Sequence, residues 1–333
     1  MSRAAGRPTL FDVAQRAGVS LKTASRALNG ENGVAPSTSA RVQQAATDLG
    51  FRPNRLARSL AAGGPSAAVG LVLSSVSDPF FAAICGAVES LVVARDLQLL
   101  SASHGDDPER QLAIIRTFVE RRVDALIVVP APGDASYLRP ELEHGVVVVA
   151  IDRPIEGLDV DTVVVDNVGG AREAVARLVA RGHRRIAVAG DDPRLWTLRQ
   201  RHLGYREGLA AAGLPDDPAL VALDCRDADG AAVAVRRMLA LADPPTALVA
   251  IQFVAGRGVA RVVRETGAAL EVAVFDEPID TDLLADPPVL VVASAPERLG
   301  RCGAALAMER LDCPDGPSRQ VVLPPVLHGT ASR

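Results

Sequence analysis

The chain lacks the segments and residue groupings that mark metal-binding, disulfide-linked, secreted and membrane proteins. Its four cysteines lie far apart and form no CxxC pair, which argues against a zinc site and against a disulfide framework. No apolar run reaches about 18 residues, and the first residues lack the apolar segment of a signal peptide. We therefore expect a cytoplasmic protein with reduced thiols, no metal ion and no membrane contact.

Signatures of common enzyme classes are missing as well. The sequence has no P-loop, no HExxH motif and no GxSxG motif, and the segment that starts at Gly256 lacks the third glycine of a dinucleotide-binding loop. The five histidines are scattered along the chain. We predict neither catalysis nor a cofactor.

Lysine is almost absent, although arginine is abundant. Lys22 is the only lysine among 36 basic residues. Residues 1–65 hold nine basic and three acidic residues, a net charge of +6 in a chain whose total is −4, so the remainder carries −10. With 333 residues, 48% of them apolar, the chain can form more than one domain. The charge split predicts a small head that binds a polyanion, followed by a larger acidic body.

Two short helices joined by a tight turn are predicted near the N-terminus. Thr9 and Asp12 form a capping-box pattern for a helix that ends near Ala17, and Gly18 supplies the turn. Ser20 can cap the second helix. Such a pair is typical of a helix-turn-helix, which points to DNA as the polyanion.

A third helix and a linker complete the predicted head. The third helix starts near Pro36, stops at Gly50, and repeats apolar residues at helical spacing. Residues 53–60 begin with a proline suited to a helix start, and an Ala-Ala-Gly-Gly-Pro-Ser linker follows them. This segment is too short to be stable as a helix by itself.

From residue 68 onward, apolar β-branched runs alternate with helical stretches. This alternation predicts doubly wound parallel sheets, and the pattern begins again near residue 169, which predicts two similar halves with a ligand cleft between them. The predicted fold is an all-α helix-turn-helix headpiece plus an α/β core of two doubly wound parallel-sheet subdomains. We predict a headpiece at 1–52, a hinge and linker at 53–65, and a core at 66–330, with subdomains at 66–166 plus 296–323 and at 167–295 plus 324–330.

Five segments of the head resemble the headpiece of the LacI/GalR family of bacterial transcription regulators. They are Thr-Leu-Phe-Asp-Val-Ala at 9–14, Ala-Gly-Val-Ser at 17–20, Thr-Ala-Ser-Arg at 23–26, Asn29, and Pro-Asn-Arg-Leu-Ala at 53–57. The resemblance implies a homodimer that binds a pseudo-palindromic, double-stranded DNA operator in bacteria, in association with the nucleoid.

The same resemblance assigns the DNA-contacting residues. It directs Leu21, Lys22 and Arg26 toward base edges in the major groove, where lysine and arginine suit the two acceptors of guanine. For Lys22 the alternative is an ordinary solvated helix residue. Short polar side chains are better matched to phosphates: Thr9, Ser20, Thr23, Ser25 and Asn29.

Residues 54–61 correspond to the hinge helix of the family. Leu60 stands where that family wedges a leucine into the minor groove, which kinks the duplex. The alternative for Leu60 is an exposed linker leucine. The hinge residues expected to contact DNA are Asn54, Arg55, Ala57, Leu60 and Ala61.

Residues 68–328 resemble, more loosely, the family's core, which is similar to periplasmic sugar-binding proteins. The resemblance implies a sugar or related metabolite as effector, because guanidinium and carboxylate groups bind polyols while aromatic rings cover their apolar faces. Asp166 could instead cap a loop, and Phe80 and Phe81 could be core residues. The residues implied to lie near the cleft are Phe80, Phe81, Asp166, Trp196, Thr197, Arg201, Gln252 and Asp276.

Three departures from the family pattern fall in this cleft. The chain reads Gln252-Phe253 where the family commonly has Asn-Asp, Ala295 stands where glutamine is frequent, and the approach to Asp276 is about four residues short of the family's usual spacing.

The main hypothesis from the head and the core together is an effector-controlled repressor. A constitutive DNA binder with a degenerate pocket and a sugar-binding transport protein stay open as alternatives. The sequence does not decide whether an effector releases DNA or promotes its binding.

Overall fold

The computed structural model describes residues 8–51, 67–192, 194–276 and 289–329. The chain divides into two compact units, the head unit Met1–Ser66 and the core unit Ala67–Arg333. The head unit contains three helices: α1 (Leu10–Ala17), α2 (Leu21–Leu28) and α3 (Pro36–Leu49).

Local capping determines where the helices of the head begin and end. Thr9 and Asp12 form the predicted capping box at α1, and the Ser20 side chain caps α2. Gly18 and Gly50 end α1 and α3 in the left-handed conformation, with φ of +63° and +64°. A small apolar core then joins the three helices, and it consists of Val13, Ala14, Ala17, Ala24, Ala27, Val42, Ala45 and Ala46. The predicted helix-turn-helix head is confirmed.

The core unit alternates strands and helices along the chain. Its strands are β1 (Ala68–Leu73), β2 (Gln98–Ser103), β3 (Ala125–Val128), β4 (Val147–Asp152), β5 (Asp161–Val165), β6 (Ile186–Ala189), β7 (Val221–Ala222), β8 (Ala247–Ala250), β9 (Glu271–Phe275), β10 (Val289–Ala293), β11 (Gln320–Leu323) and β12 (Val326–Gly329). Its helices are α4 (Pro79–Ala94), α5 (Pro108–Glu120), α6 (Arg139–Glu143), α7 (Asn167–Ala180), α8 (Trp196–Ala211), α9 (Ala228–Leu239), α10 (Phe253–Thr266) and α11 (Pro296–Asp312).

The strands form two six-stranded sheets. The first has the order β11-β5-β4-β3-β1-β2 and is parallel throughout. The second has the order β12-β10-β9-β8-β6-β7 and is parallel except for β12, which runs antiparallel to β10. The central strands are buried on both faces, as their continuous apolar sequences require. The predicted core of two parallel-sheet subdomains is confirmed.

The chain passes between the two sheets three times. It leaves the first sheet after β5, returns after β10 through α11, and crosses again between β11 and β12. On its return, α11 packs on the first sheet, and Gly303 permits the close approach because a Cβ there would meet the Ile151 side chain at 2.4 Å. The crossings leave the carboxyl ends of strands from both sheets beside one cavity, where ligands of such folds bind.

Candidate functional site

One side of α2 points away from the small core of the head. Ala24 and Ala27 are buried, whereas Leu21 is 50% exposed and Lys22 is exposed. The remaining predicted DNA contacts on α2 and its caps are at least partly accessible, as is Thr9 at the start of α1. The structure therefore brings these predicted residues together on one short helix and its ends: Ser20, Leu21, Lys22, Thr23, Ser25, Arg26 and Asn29.

The two polar caps of the head have structural partners of their own. The Thr9 backbone N–H and hydroxyl both donate to Asp12 Oδ2 at 2.7 Å, and these hydrogen bonds lower the pKa of Asp12. Ser20 Oγ accepts from the Thr23 N–H at 3.1 Å, and the two hydroxyls lie 2.8 Å apart. The first turns of α1 and α2 are therefore fixed, and their N–H groups are oriented as in helix termini that bind phosphate.

Arg26 is held by the loop that follows α2. Its Nε lies 3.5 Å from Glu31 Oε2, and its Nη2 donates to the Asn32 carbonyl. Asn29 Nδ2 donates to the other Glu31 oxygen at 3.1 Å. One carboxylate thus engages two residues that the sequence assigns to DNA. The hinge residues Asn54, Arg55, Ala57, Leu60 and Ala61 lie outside the described residues.

The cavity in the core unit has a volume of about 1120 Å³. It opens at the carboxyl ends of strands, where doubly wound folds place their ligands. The first sheet and α4 contribute Ser74, Asp78, Phe80, Phe81, Asp106, Asp152 and Arg153, and the second sheet with its helices contributes Thr197, Arg201, Gln252, Phe253, Arg257, Asp276 and Ser294.

Arg201 is the central cation of the cavity wall formed by the second sheet. Its guanidinium donates to Asn167 Oδ1 at 2.7 Å, to the Ile251 carbonyl at 3.0 Å and to Asp276 Oδ2 at 3.1 Å. It also lies 4.3 Å above the Phe275 ring. The side chain is 5% exposed. These contacts fix a guanidinium edge and a carboxylate side by side, an arrangement that can bind neighbouring hydroxyl groups of one ligand.

Asp276 is fixed from its other side as well. Ser294 Oγ donates to Asp276 Oδ1 at 2.6 Å. The backbone of Asp276 is left-handed, with φ of +66°, and Asp152 and Ala295 share this unusual conformation with φ of +71° and +48°. With Asp106, whose φ is +58°, four non-glycine residues with positive φ line one cavity, a concentration of backbone strain that is typical of ligand-binding sites.

The opposite wall has its own buried ion-pair network. Arg153 donates through Nε to Asp152 at 3.2 Å and through Nη1 to Asp106 at 3.1 Å, and Ser74 Oγ donates to Asp106 at 2.7 Å. Burial raises the pKa of Asp152, opposed by the nearby Arg153 and Arg201 guanidiniums. The network holds two carboxylates against the cavity.

Buried His104 supports this network from behind. The backbone N–H of Asp106 donates to His104 Nδ1 at 3.0 Å, so Nδ1 is an acceptor, and Nε2 lies 2.8 Å from the Val129 carbonyl, to which it donates. Burial lowers the pKa of His104. A neutral imidazole with its proton on Nε2 satisfies both contacts, and it fixes the turn that carries Asp106.

Six of the eight predicted effector residues line the cavity: Phe80, Phe81, Thr197, Arg201, Gln252 and Asp276. Asp166 and Trp196 are not among its described lining residues. The Asp166 carboxylate instead accepts the Gly169 N–H at 2.7 Å and caps α7, the alternative that the sequence left open, and Trp196 begins α8. Phe80 and Phe81 pack edge to face, with ring centroids 5.1 Å apart.

Several residues of the cavity were not predicted from the sequence. Four of these lie at the carboxyl edge of the first sheet, where Asp152 ends β4, Asp106 and Arg153 follow strands, and Asp78 caps α4. Their position after buried strands was a usable signal, because polar residues at that edge face the ligand in such folds. Within the described ranges, no three His, Cys, Asp or Glu side chains gather as metal ligands. No described helix is long and apolar enough to cross a membrane.

Comparison with known proteins places both units. Residues 9–54 match the family model of bacterial regulatory proteins of the lacI family, and residues 66–310 match that of periplasmic binding proteins and the sugar binding domain of the LacI family. The chain belongs to the LacI family. This LacI-family protein is accordingly a DNA-binding transcriptional regulator.

Two relatives and one solved structure match nearly the whole chain. This LacI-family protein is 33% identical to the transcriptional regulator CelR of Thermobifida fusca over 92% of each chain. It is 30% identical to the regulator GalS of Salmonella typhimurium, over 90% of this chain and 89% of GalS. A solved complex of the regulator CelR with cellobiose matches at 30% identity with a TM-score of 0.70, over 97% and 98% of the two chains. The two named relatives are regulators rather than enzymes.

Proposed function

We propose that this regulator is a homodimeric repressor that binds a pseudo-palindromic operator and responds to a sugar-like effector. The observation that carries the DNA part is the outward side of α2, where Leu21 and Lys22 are exposed on a helix fixed by the Ser20 cap. Leu21, Lys22 and Arg26 are assigned to bases, and Thr9, Ser20, Thr23, Ser25 and Asn29 to phosphates. One head offers few contacts, so two copies on a two-fold site are needed.

The cavity of the core unit supports the effector part of the proposal. Arg201, Asp276 and Ser294 form a fixed polar group on one wall, and the Phe80 and Phe81 rings lie on the other. Such a combination suits a polyol. The CelR complex with cellobiose supports the same class of ligand. To shift two conformational states of the regulator from a ratio of about 1:99 to about 99:1, the effector must bind the favoured state more tightly by about 5.5 kcal/mol.

Lys22→Ala tests the assignment of base readout. We expect the affinity for the selected operator to fall about 10- to 100-fold, since a good base contact contributes about 1–3 kcal/mol of discrimination. Affinity for random DNA should change much less. The measurement is selection of bound sequences from random DNA, followed by binding titrations with the selected duplex and with a scrambled duplex of the same composition. Arg16→Ala is the control, because Arg16 is an exposed cation on α1 paired with Asp48.

The salt dependence of binding tests the proposal as a whole. About six phosphate contacts predict a log-log slope near −5 for operator affinity against salt concentration. Binding that ignores salt, or no binding to any duplex at low salt, would contradict DNA recognition by this head. If Lys22→Ala lost the same affinity for operator and for scrambled DNA, Lys22 would contact phosphate and would not read bases.

Glu31→Gln tests the contact between the loop and Arg26. The substitution removes a negative charge that engages both Arg26 and Asn29. We expect tighter binding to operator and to random DNA alike, by up to about fivefold at low salt, because exposed charge pairs contribute at most about 1 kcal/mol. The gain should disappear in high salt. Weaker operator binding would instead show that Glu31 positions Arg26 for readout.

A further inference from the structure

Two of the three guanidiniums in the described cavity lining are already paired with carboxylates of the protein, and the third, that of Arg257, is exposed and lies over the Phe253 ring. Arg153 lies between the carboxylates of Asp152 and Asp106, and Arg201 pairs with Asp276. Both guanidiniums are almost fully buried. A ligand phosphate or carboxylate would have to compete with these fixed carboxylates for either cation, at a cost in repulsion that a low-dielectric cavity increases.

The carboxylates of the cavity outnumber its guanidiniums. Asp78, Asp106, Asp152, Asp276 and Glu297 line its described part, against Arg153, Arg201 and Arg257. Asp78 Oδ1 accepts the Phe80 N–H at 2.9 Å, and no ion pair joins Asp78 to a described cation. Burial raises the pKa of Asp78, and repulsion from Asp276, Asp152 and Asp106 adds to that effect. A further anion would meet the same repulsion.

A second group in the cavity also requires a donor from the ligand. The Oε1 atom of Gln252 is buried, and no described residue donates a hydrogen bond to it. An unsatisfied buried acceptor costs about 1–3 kcal/mol. Gln252 stands directly before α10 on the cavity wall, and Phe253 is the first residue of that helix. The position therefore presents an amide acceptor beside an apolar ring.

We propose that this cavity selects a polyol that donates hydrogen bonds and carries no anionic group, with Asp78 and Gln252 accepting its hydroxyl or amine hydrogens. Phosphorylated and carboxylated forms of the same sugar are excluded. The inference rests on the proposed effector function and names the chemical class that the site accepts. It differs from a general sugar site, because the fixed carboxylates discriminate between sugars of equal ring size.

Matched sugar panels test this selection in the intact protein. The probes are cellobiose, maltose, galactose and ribose, each compared with its phosphate and its aldonic acid, and galactosamine is included as an amine. We expect at least one neutral sugar or the amine to raise the melting temperature and to give heat in calorimetry. Its anionic counterparts should bind at least about 100-fold more weakly.

An anionic counterpart that binds as tightly as its neutral sugar would overturn the proposal. The absence of binding by every sugar of the panel would overturn it as well. Operator binding is measured in the same preparation. If the protein binds operator but none of the sugars, the ligand proposal is wrong and the DNA-binding function is unaffected. If it binds neither operator nor sugar, the proposed function fails as well.

Two variants locate the selection. Asp78→Asn keeps a residue that caps α4 but removes the charge, so the neutral sugar should bind about fivefold more weakly while discrimination against the phosphate decreases. Asp227→Asn makes the same change at the cap of α9, outside the cavity lining, and should alter neither quantity. Gln252→Met should weaken binding about tenfold while the ligand-free protein becomes no less stable, because an unsatisfied acceptor is removed. Unchanged ligand affinity in both cavity variants would refute the roles given to Asp78 and Gln252.

Discussion

Arg201→Met is expected to abolish the response to effector while operator binding survives. Arg201 holds Asn167, the Ile251 carbonyl and Asp276 in one arrangement on the cavity wall. Methionine fills part of the volume but donates no hydrogen bond, so Asp276 loses its cation and any ligand loses the guanidinium edge. Charge-assisted hydrogen bonds contribute about 1.5–3 kcal/mol each, and losing two predicts at least a 100-fold weaker affinity.

The measurement is calorimetry with a sugar that the wild type binds, together with operator titration with and without that sugar. Arg206→Met is the control on the same helix, because Arg206 is exposed and its contact with Asp216 is a surface ion pair. It should retain the response. Full sugar sensitivity in Arg201→Met would show that the effector binds elsewhere. Loss of operator binding in that variant would show that the substitution acts through folding of the whole chain.

The helices of the head could be predicted to within a residue or two because their limits are local. Thr9 and Asp12 are three residues apart, and Ser20 bonds to Thr23 over the same distance. Gly18 needs only its own left-handed backbone. These interactions do not depend on the rest of the fold, so a short window of sequence contains all the information.

The cavity could be predicted only in part, because its geometry depends on strand order. Arg153 meets Asp106 across 47 positions of sequence, and only the neighbouring placement of β1, β2, β3 and β4 brings them together. Nothing local in either segment predicts that pair. Asp166 is the opposite case, because its partner is local: its carboxylate accepts the Gly169 N–H and caps α7, so the sequence predicted a cavity position for a residue that has a capping role.

Three short strands escaped prediction for a related reason. β7 has only two residues, and β11 and β12 are four-residue edge strands with partly exposed side chains. They are too short to show a clear alternation of apolar and polar residues, and their pairing is decided by distant strands. β2 likewise extends to Ser103, three residues past the leucine-rich segment 97–100, and its polar residues Ser101 and Ser103 lie on an edge strand of the sheet.

Asp161 is the charged residue that joins the returning chain to the first sheet. Its two carboxylate oxygens accept the Nε and Nη2 of Arg310 at 2.8 and 3.1 Å, and Oδ1 accepts the Arg319 N–H at 2.8 Å. The side chain is 1% exposed. The contacts therefore fix α11 and the start of β11 against β5, across about 150 positions of sequence.

Asp161→Asn should destabilise the core unit by about 3 kcal/mol. The amide keeps the shape of the carboxylate but leaves the largely buried Arg310 without its counter-ion, and loss of one partner of a buried pair costs about 3–5 kcal/mol. Carbonyls near Arg310 still accept its donors, which favours the lower end. Urea unfolding can be followed by fluorescence of Trp196, the only tryptophan, which lies in the core unit. Asp312→Asn is the matched control, because the Arg95–Asp312 pair is exposed and should contribute less than about 1 kcal/mol.

The loss in Asp161→Asn should also depend on pH in a defined direction. Burial alone would raise the pKa of Asp161, but hydrogen bonds from Arg310 and Arg319 outweigh it and lower the pKa from 3.8 to about 2. The carboxylate therefore contributes its full stability above about pH 4, and this contribution is lost as the pH falls through 3.8 toward 2. Wild type and Asp161→Asn should differ by a constant amount from pH 5 to 7 (roughly the range above both pKa values) and converge in acid. A difference that persists unchanged at the acid end would mean that the shape of the site, rather than the charge of Asp161, holds α11 and β11 in place.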